Sequence, residues 1–430
     1  MKNRRVVITG MGMVTPAGME LEEIWNNIIK CRSAIAKISS FDLSGFSSSL
    51  GGEVAKYDIT KFIDNRKSSK LFRKDVCYCM AAARLAYHAS GIDFPNLNPA
   101  DIGLYIGSGE SEVRYNEFFS ALDYSMNADG SINFKKLGTL GLRYFNPFFL
   151  LEDLCNSGLC YLSIEYGIVG ANNNFSGGIS SGHAIGEGYR AIQRGDCEVV
   201  VAGGHDSLVS CFGSYFLHEA RGHFTTAEDP ACAMMPYSID RSGFAPAEGA
   251  GIVILEEIEF ARKRNANILA ELVGYHNSCD THDDLLNPDP EGNGMAGAIQ
   301  GALNDAGIQS SQLDYINSVG DATVIGDISE TRAIKKILGH YAYIVPVSTV
   351  KPIIGHTGTA ADVIEFIVTT LALQKGIIPP TLNYLGGDAE CDLDYTSMDP
   401  RETPMEYAMA LGRGYGGQNS AFILKRSISS

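Results

Sequence analysis

Short apolar runs ending in glycine alternate along this chain with longer stretches of helical period, which is the grammar of an α/β protein. Residues 5–10 (RVVITG) read as a buried strand. Residues 10–16 (GMGMVTP) then read as a turn-rich loop before a helix that begins near Leu21. The same order recurs at residues 102–109 and 199–204, where a buried strand again runs into glycines. Helices are predicted over 75–90, rich in Ala81, Ala82 and Ala83, and over 181–194, with an apolar face of Ala184, Ile185, Tyr189 and Ile192. A strand at 249–256 closes a first half, and after the charged stretch 257–264 the pattern restarts. Strands at 268–273, 314–317, 343–347 and 420–424 then accompany helices at 295–306 and 359–374. The economical reading is two α/β halves, residues 1–257 and 258–430, without a disordered linker; any duplication lies in element order, because no side-chain repeat is visible.

At 430 residues the chain exceeds one ordinary core, which agrees with two halves. Hydrophobic residues at 45%, charged residues at 20% and the lack of low-complexity tracts describe a folded, water-soluble chain. A net charge of −16 argues against nucleic acid, whose phosphates call for a basic face. One basic cluster, Arg66, Lys67, Lys70, Arg73 and Lys74, would suit an acidic protein or a phosphate, and equally suits a solvated helix face. Ten cysteines, no signal-like start at residues 1–5 and no apolar run near ~18 residues predict reduced thiols, no membrane span and a cytoplasmic location. Cys77, Cys79, Cys155 and Cys160 lack paired CxxC spacing, so no structural metal is expected. Neither GxGxxG nor GxxxxGK[ST] occurs, so the glycine turns serve strand-to-helix packing and no cofactor is expected.

The stretch 236–251 (PYSIDRSGFAPAEGAG) resembles the PxDxxRxGF…GxGAG signature of β-ketoacyl carrier-protein synthases. Four more stretches fall in that family's order: VVITGMGMVTPAG near the start, VVVAGGHDS at 199–207, IPPTLN at 378–383 and GYGGQN at 414–419. The resemblance implies a thiolase-like fold, with two related α/β halves in a layered αβαβα arrangement, and a dimer paired through a central strand. It also implies a reaction that needs a thiolate to hold an acyl chain, donors for the charge made by decarboxylation, and a site for a carrier-protein thioester.

Two of those parts are missing. The family's nucleophilic cysteine falls five residues before His183, on Gly178, and residues 172–182 contain no cysteine. Cys160 and Cys197 stand before and after the segment; Ser176, Ser180 and Ser181 would need an adjacent base to act instead. The first histidine of the family's N-A-H-G-T-S-T run falls on Val319, which cannot donate a hydrogen bond. Lys351, His356 and Glu365 match the family's K-x4-H run and its partner carboxylate. A buried Lys351–Glu365 pair would be kept for stability alone, and Asp327 and Glu330 read as structural in the same way. Tyr415 replaces the phenylalanine gate of GFGGxN, beside Gly414, Gly416 and Gly417, so both an acyl gate and a plain turn are open.

The expected function is therefore a non-condensing subunit of chain-length-factor type. It would pair with an active ketosynthase in fatty acid, polyketide or polyene biosynthesis and receive an acyl carrier protein. One alternative is an enzyme that keeps part of the chemistry, a malonyl-thioester decarboxylase or an acyltransferase with a replacement nucleophile. Another is a homodimer that binds thioesters without altering them.

Overall fold

The computed structural model describes residues 4–109, 115–210, 215, 216, 219–282, 284 and 286–427; residues 1–3 of the predicted start lie outside these. Ten strands share one mixed sheet: β1 (Val6–Val14), β2 (Ile102–Ser108), β3 (Asn172–Ser176), β4 (Val199–Ser207), β5 (Glu248–Glu257), β6 (Ala270–Cys279), β7 (Tyr315–Asn317), β8 (Val347–Ser348), β9 (Tyr407–Arg413) and β10 (Gln418–Arg426). Their spatial order is β8-β7-β9-β10-β6-β1-β5-β4-β2-β3. Each strand from β6 to β10 thus occupies the place of the strand five earlier, read outward from the β1–β6 seam. Directions match as well: β2 runs parallel to β3 and β4 as β7 does to β8 and β9, and the remaining pairs are antiparallel. The seam is short, joining Val6, Val7 and Ile8 to Leu272, Glu271 and Ala270.

Helices separate and cover the two five-strand sets. On the outside, α1 (Lys74–Ser90) lies on β1, β4 and β5. Between the sets lies α2 (Ser180–Arg194), packed on β2 and β4 and reaching β6. The outer helices of the second half are α3 (Asn293–Ala306), lying on β6 and β10, and α4 (Val324–Leu338), packed on α3. The inner counterpart, α5 (Ala361–Lys375), packs on β9 and β10, reaches β5 and touches α2. This is the layered αβαβα arrangement of a thiolase-like fold. Every residue of α5 from Ala361 to Leu373 is buried, as a helix enclosed on all sides requires. Its Ile364, Phe366 and Ile367 each gain about 1.5–3 kcal/mol on burial.

Three local expectations are corrected. The predicted loop at 10–16 is strand, because β1 continues to Val14 through a register shift between Ile8 and Gly10. Its glycines admit the α1 backbone: a Cβ on Gly12 would strike the Ala82 carbonyl and the Ala86 nitrogen. The predicted strand at 343–347 shrinks to Val347–Ser348, because Gly339–Tyr343 forms a 3-10 turn. Two strands, Asn172–Ser176 and Tyr407–Arg413, lie where none was predicted.

Candidate functional site

A cavity of about 300 Å³ opens where β3, β4 and β10 meet the loops of the second half. β3 ends at Ser176, and two successive left-handed glycines, Gly177 (φ +73°) and Gly178 (φ +50°), turn the chain sharply into α2. Glycine suits this because the left-handed region costs other residues about 1–2 kcal/mol. The turn closes through Ser180 N–H to the Gly177 carbonyl at 3.1 Å. A side chain at 178 would project into space already filled by the Gln418 carboxamide, and Gly414 packs directly on the Gly178 Cα.

Of the neighbouring serines, two are engaged by the backbone and one lines the cavity. Ser180 and Ser181 are buried and donate to the backbone carbonyls of Ser108 and Thr359, at 3.3 and 2.5 Å. Ser176 lines the cavity, exposed at the strand end. Among the described residues no cysteine lines it; Cys160 is exposed on the helix Ser157–Tyr166 and Cys197 is buried in the core.

Val319 is withdrawn from the cavity wall. Its side chain is buried in the second-half core, its N–H donates to Glu330 at 2.7 Å, and its carbonyl accepts from Lys351 Nζ at 2.8 Å. Lys351 also contacts Glu365, and both are almost fully buried. Glu330 further accepts from Tyr237 Oη at 2.8 Å and Gly320 N–H at 3.1 Å, while Asp327 accepts from Tyr237 N–H at 2.7 Å. Burial and the nearby Asp321 raise the Asp327 carboxyl well above the usual range. These carboxylates tie backbone to backbone and do not line the cavity.

His356 does line it. Its Nδ1 accepts the Gly358 N–H at 3.1 Å, which leaves Nε2 carrying the proton of the neutral ring. Its ring lies on Phe244, centroids 4.5 Å apart. Tyr415 also lines the cavity, beside the left-handed Gly416 and Gly417. The tyrosine ring stacks on His223 at 5.4 Å and has the Arg221 guanidinium 5.0 Å from its centroid.

Several cavity groups escaped the sequence reading: Arg221, His223, Asp206, Gln418 and the Asp321–Arg413 pair. Asp321 and Arg413 meet at 2.6 Å; burial alone would raise the Asp321 carboxyl, but Arg413 and the Thr323 donors hold it well below the usual range. Burial pushes the Asp206 carboxyl up to about 6, although Ser207 and Thr359 N–H groups donate to it. Gln418 lies within the GYGGQN motif and Arg413 directly before it; His223 belongs to none and is found only through its packing.

The basic cluster is corrected in part. Arg73 turns inward, where it forks onto Asp75 at 2.9 and 3.1 Å, and Asp75 also meets His205 Nδ1 at 2.9 Å. Lys74 pairs with the buried Glu248 at 2.7 Å. A buried carboxylate without a cation is costly, so Arg73 is drawn into the interior and the half-exposed Lys74 reaches in to Glu248. Arg66, Lys67 and Lys70 stay exposed.

Fold and cavity together define a thiolase-like protein whose turn before α2 carries glycine at position 178. The β-ketoacyl synthase N-terminal domain model matches residues 3–261 and the C-terminal domain model residues 269–385. The chain belongs to the β-ketoacyl synthase family. It is 34% identical over 427 residues to 3-oxoacyl-[acyl-carrier-protein] synthase 2 of Coxiella burnetii, and 33% identical to the protein of that name from Synechocystis, covering 99% of both chains in each case. Solved structures similar to it include the AntDE:AntF complex, a type II polyketide synthase acyl-carrier protein with its ketosynthase bound to the hexaketide (29% identity, TM-score 0.84). Another is the ishigamide ketosynthase/chain length factor (26% identity, TM-score 0.86). Both cover 99% of this chain and 100% of the other. Among the described residues no helix is long and apolar enough to cross a membrane.

Proposed function

We propose that this chain is a non-condensing ketosynthase-like subunit of chain-length-factor type, which pairs with a cysteine-bearing β-ketoacyl synthase and shares its acyl carrier protein. The observation that carries the reading is the Gly178 turn, where the Gln418 carboxamide fills the space a nucleophile would need. Val319 supports it, since an apolar side chain held in the core cannot stabilise the charge formed on decarboxylation. A need for a partner is supported by the uncovered edge strand β3 and by the apolar side chains Ile164 and Val169, 65 and 72% exposed in the helix and turn that lead into it. Arg66, Lys67 and Lys70 give the carrier protein an exposed basic contact.

His356, with its Nε2 proton in the cavity region, favours one second reading, that the chain decarboxylates malonyl thioesters by itself. The deciding experiment is mass spectrometry after incubation with acyl- and malonyl-carrier protein, alone and with a cysteine-bearing ketosynthase from the same source. The proposed function expects no adduct and no CO2 from this chain alone, co-purification with the active subunit, and a changed product length. A covalent acyl adduct, or CO2 released by this chain alone, would make it an enzyme in its own right.

A further inference from the structure

Three aliphatic side chains, Ile239, Val324 and Leu385, stand where three chain segments meet and are 61, 52 and 73% exposed. The segments are pinned together. Ile239 N–H donates to the Gly386 carbonyl at 3.2 Å, and Leu385 N–H donates to Ser238 Oγ at 2.9 Å. The buried Arg241 donates to the Val324 carbonyl at 3.2 Å and to Asp388 at 2.6 Å. Each aliphatic also stands two residues after a non-glycine residue with left-handed backbone: Tyr237 (φ +61°), Ala322 (φ +62°) and Asn383 (φ +65°). Among the described residues only Cys31 and Asn265 share that conformation, which is costly away from glycine and collects at functional sites. The cavity does not explain it, because none of the three aliphatics lines it.

The rim of this patch is acidic. Asp240 follows Ile239, and Asn383 Nδ2 donates at 2.6 Å to the carbonyl of Ala231, whose N–H donates to Asp229 beside Glu228. Asp240, Asp229 and Glu228 are exposed and have no ion-pair partner among the described residues. We propose that this face docks a cationic amphipathic segment of a second protein, distinct from the carrier protein and from the ketosynthase. Charge selects that occupant: a carboxylate rim repels nucleic acid and anionic lipid, and has the wrong sign for a partner drawn to Arg66, Lys67 and Lys70. Position excludes the ketosynthase, since Val324 opens α4 just after β7, near the sheet edge opposite to β3. The pinned backbone is already ordered, so little entropy is lost when the aliphatics are covered, and the rim charges steer the approach.

The test is fluorescence anisotropy at physiological salt with a labelled amphipathic helical peptide of leucine and lysine. Two control peptides replace its leucines by serine or its lysines by glutamate. Wild type should bind the leucine/lysine peptide about tenfold more tightly than either control, and Ile239→Ser with Leu385→Ser should remove that advantage. Asp240→Asn with Glu228→Gln should weaken binding about threefold and flatten its salt dependence. Ile344 is 63% exposed beyond the other end of α4, and Ile344→Ser should change nothing. In wild type, a diazirine on the peptide should cross-link within residues 236–241 or 383–387, a readout independent of any variant. No preference over the controls, losses equal to that of Ile344→Ser, cross-links confined elsewhere, or displacement of the peptide by acyl-carrier protein would each overturn the proposal. So would a self-association that Leu385→Ser abolishes in sedimentation velocity, which would make the occupant a second copy. Co-purification with the cysteine-bearing ketosynthase is scored separately and decides the chain-length-factor reading alone.

Discussion

Gly178 combines two separable obstacles: it has no side chain, and Gln418 sits where one would go. Gly178→Cys alone is expected to fold with a loss of about 1–2 kcal/mol from the left-handed backbone, and to leave the new thiol unreactive. Adding Gln418→Ala should expose it, as read by peptide-mapped alkylation at position 178; equal labelling in the single variant would show that the amide is no obstacle. Lys351 and Glu365 make a different prediction. Burial pushes the Glu365 carboxyl up to about 8 against the pull of Lys351. Lys351→Met therefore leaves a buried, protonated carboxyl without its partner and should cost about 1–3 kcal/mol in denaturant unfolding, while Lys351→Met with Glu365→Leu should recover most of that. No recovery would mean that the pair does more than balance charge. Both positions were legible as motif positions in the sequence. His223 was not, because its place in the cavity depends on Tyr415, Asn287 and Phe244, which are remote from it in the chain.

At the scale of elements, periodicity read helices well and strands unevenly. The 75–90 and 181–194 helices were predicted to within one residue, since each carries a continuous buried face. Strand β3 was missed because its Asn172-Asn173-Asn174 run has no apolar period; as an edge strand it is largely exposed and needs none. β9 was missed for another reason: Ala408, Ala410 and Gly412 are small because α5 crosses them closely, and small residues give a weak strand signal. The misread loop at 10–16 has the same origin in the close approach of α1. The exposed edge also yields a prediction. Asn173→Lys places a charge on β3 without touching the core, so it should leave the melting temperature of the isolated chain unchanged and weaken subunit association in sedimentation velocity. Unaltered association would place the interface elsewhere.

For the whole molecule, buried carboxyls set the pH response. Burial raises Asp206 and Asp362 from 3.8 to about 6 in the fold, although hydrogen bonds oppose it. A raised folded value favours the protonated form, so this stabilisation is complete below about pH 4 and fades as pH rises through 6. Asp75 and Asp321 are shifted the other way by His205, Arg73 and Arg413, and their stabilisation is lost as pH falls below about 4. The contribution of these groups should therefore peak near pH 4 and fall by about 3 kcal/mol per raised carboxyl by pH 7. Asp362→Asn should flatten that fall in thermal scans between pH 4 and 7; an unchanged slope would remove Asp362 from the account.

The middle layer, one helix from each half, has a topological consequence: neither half owns a complete interior. Severed between Glu257 and Ile258, the chain would yield two pieces, each presenting a naked helix, α2 or α5, that only the other can clothe. Expressed separately they should aggregate, and expressed together they should reconstitute one particle in size-exclusion chromatography. The internal likeness of the halves is thus a likeness of plan without autonomy, closer to two clasped hands than to two beads on a string.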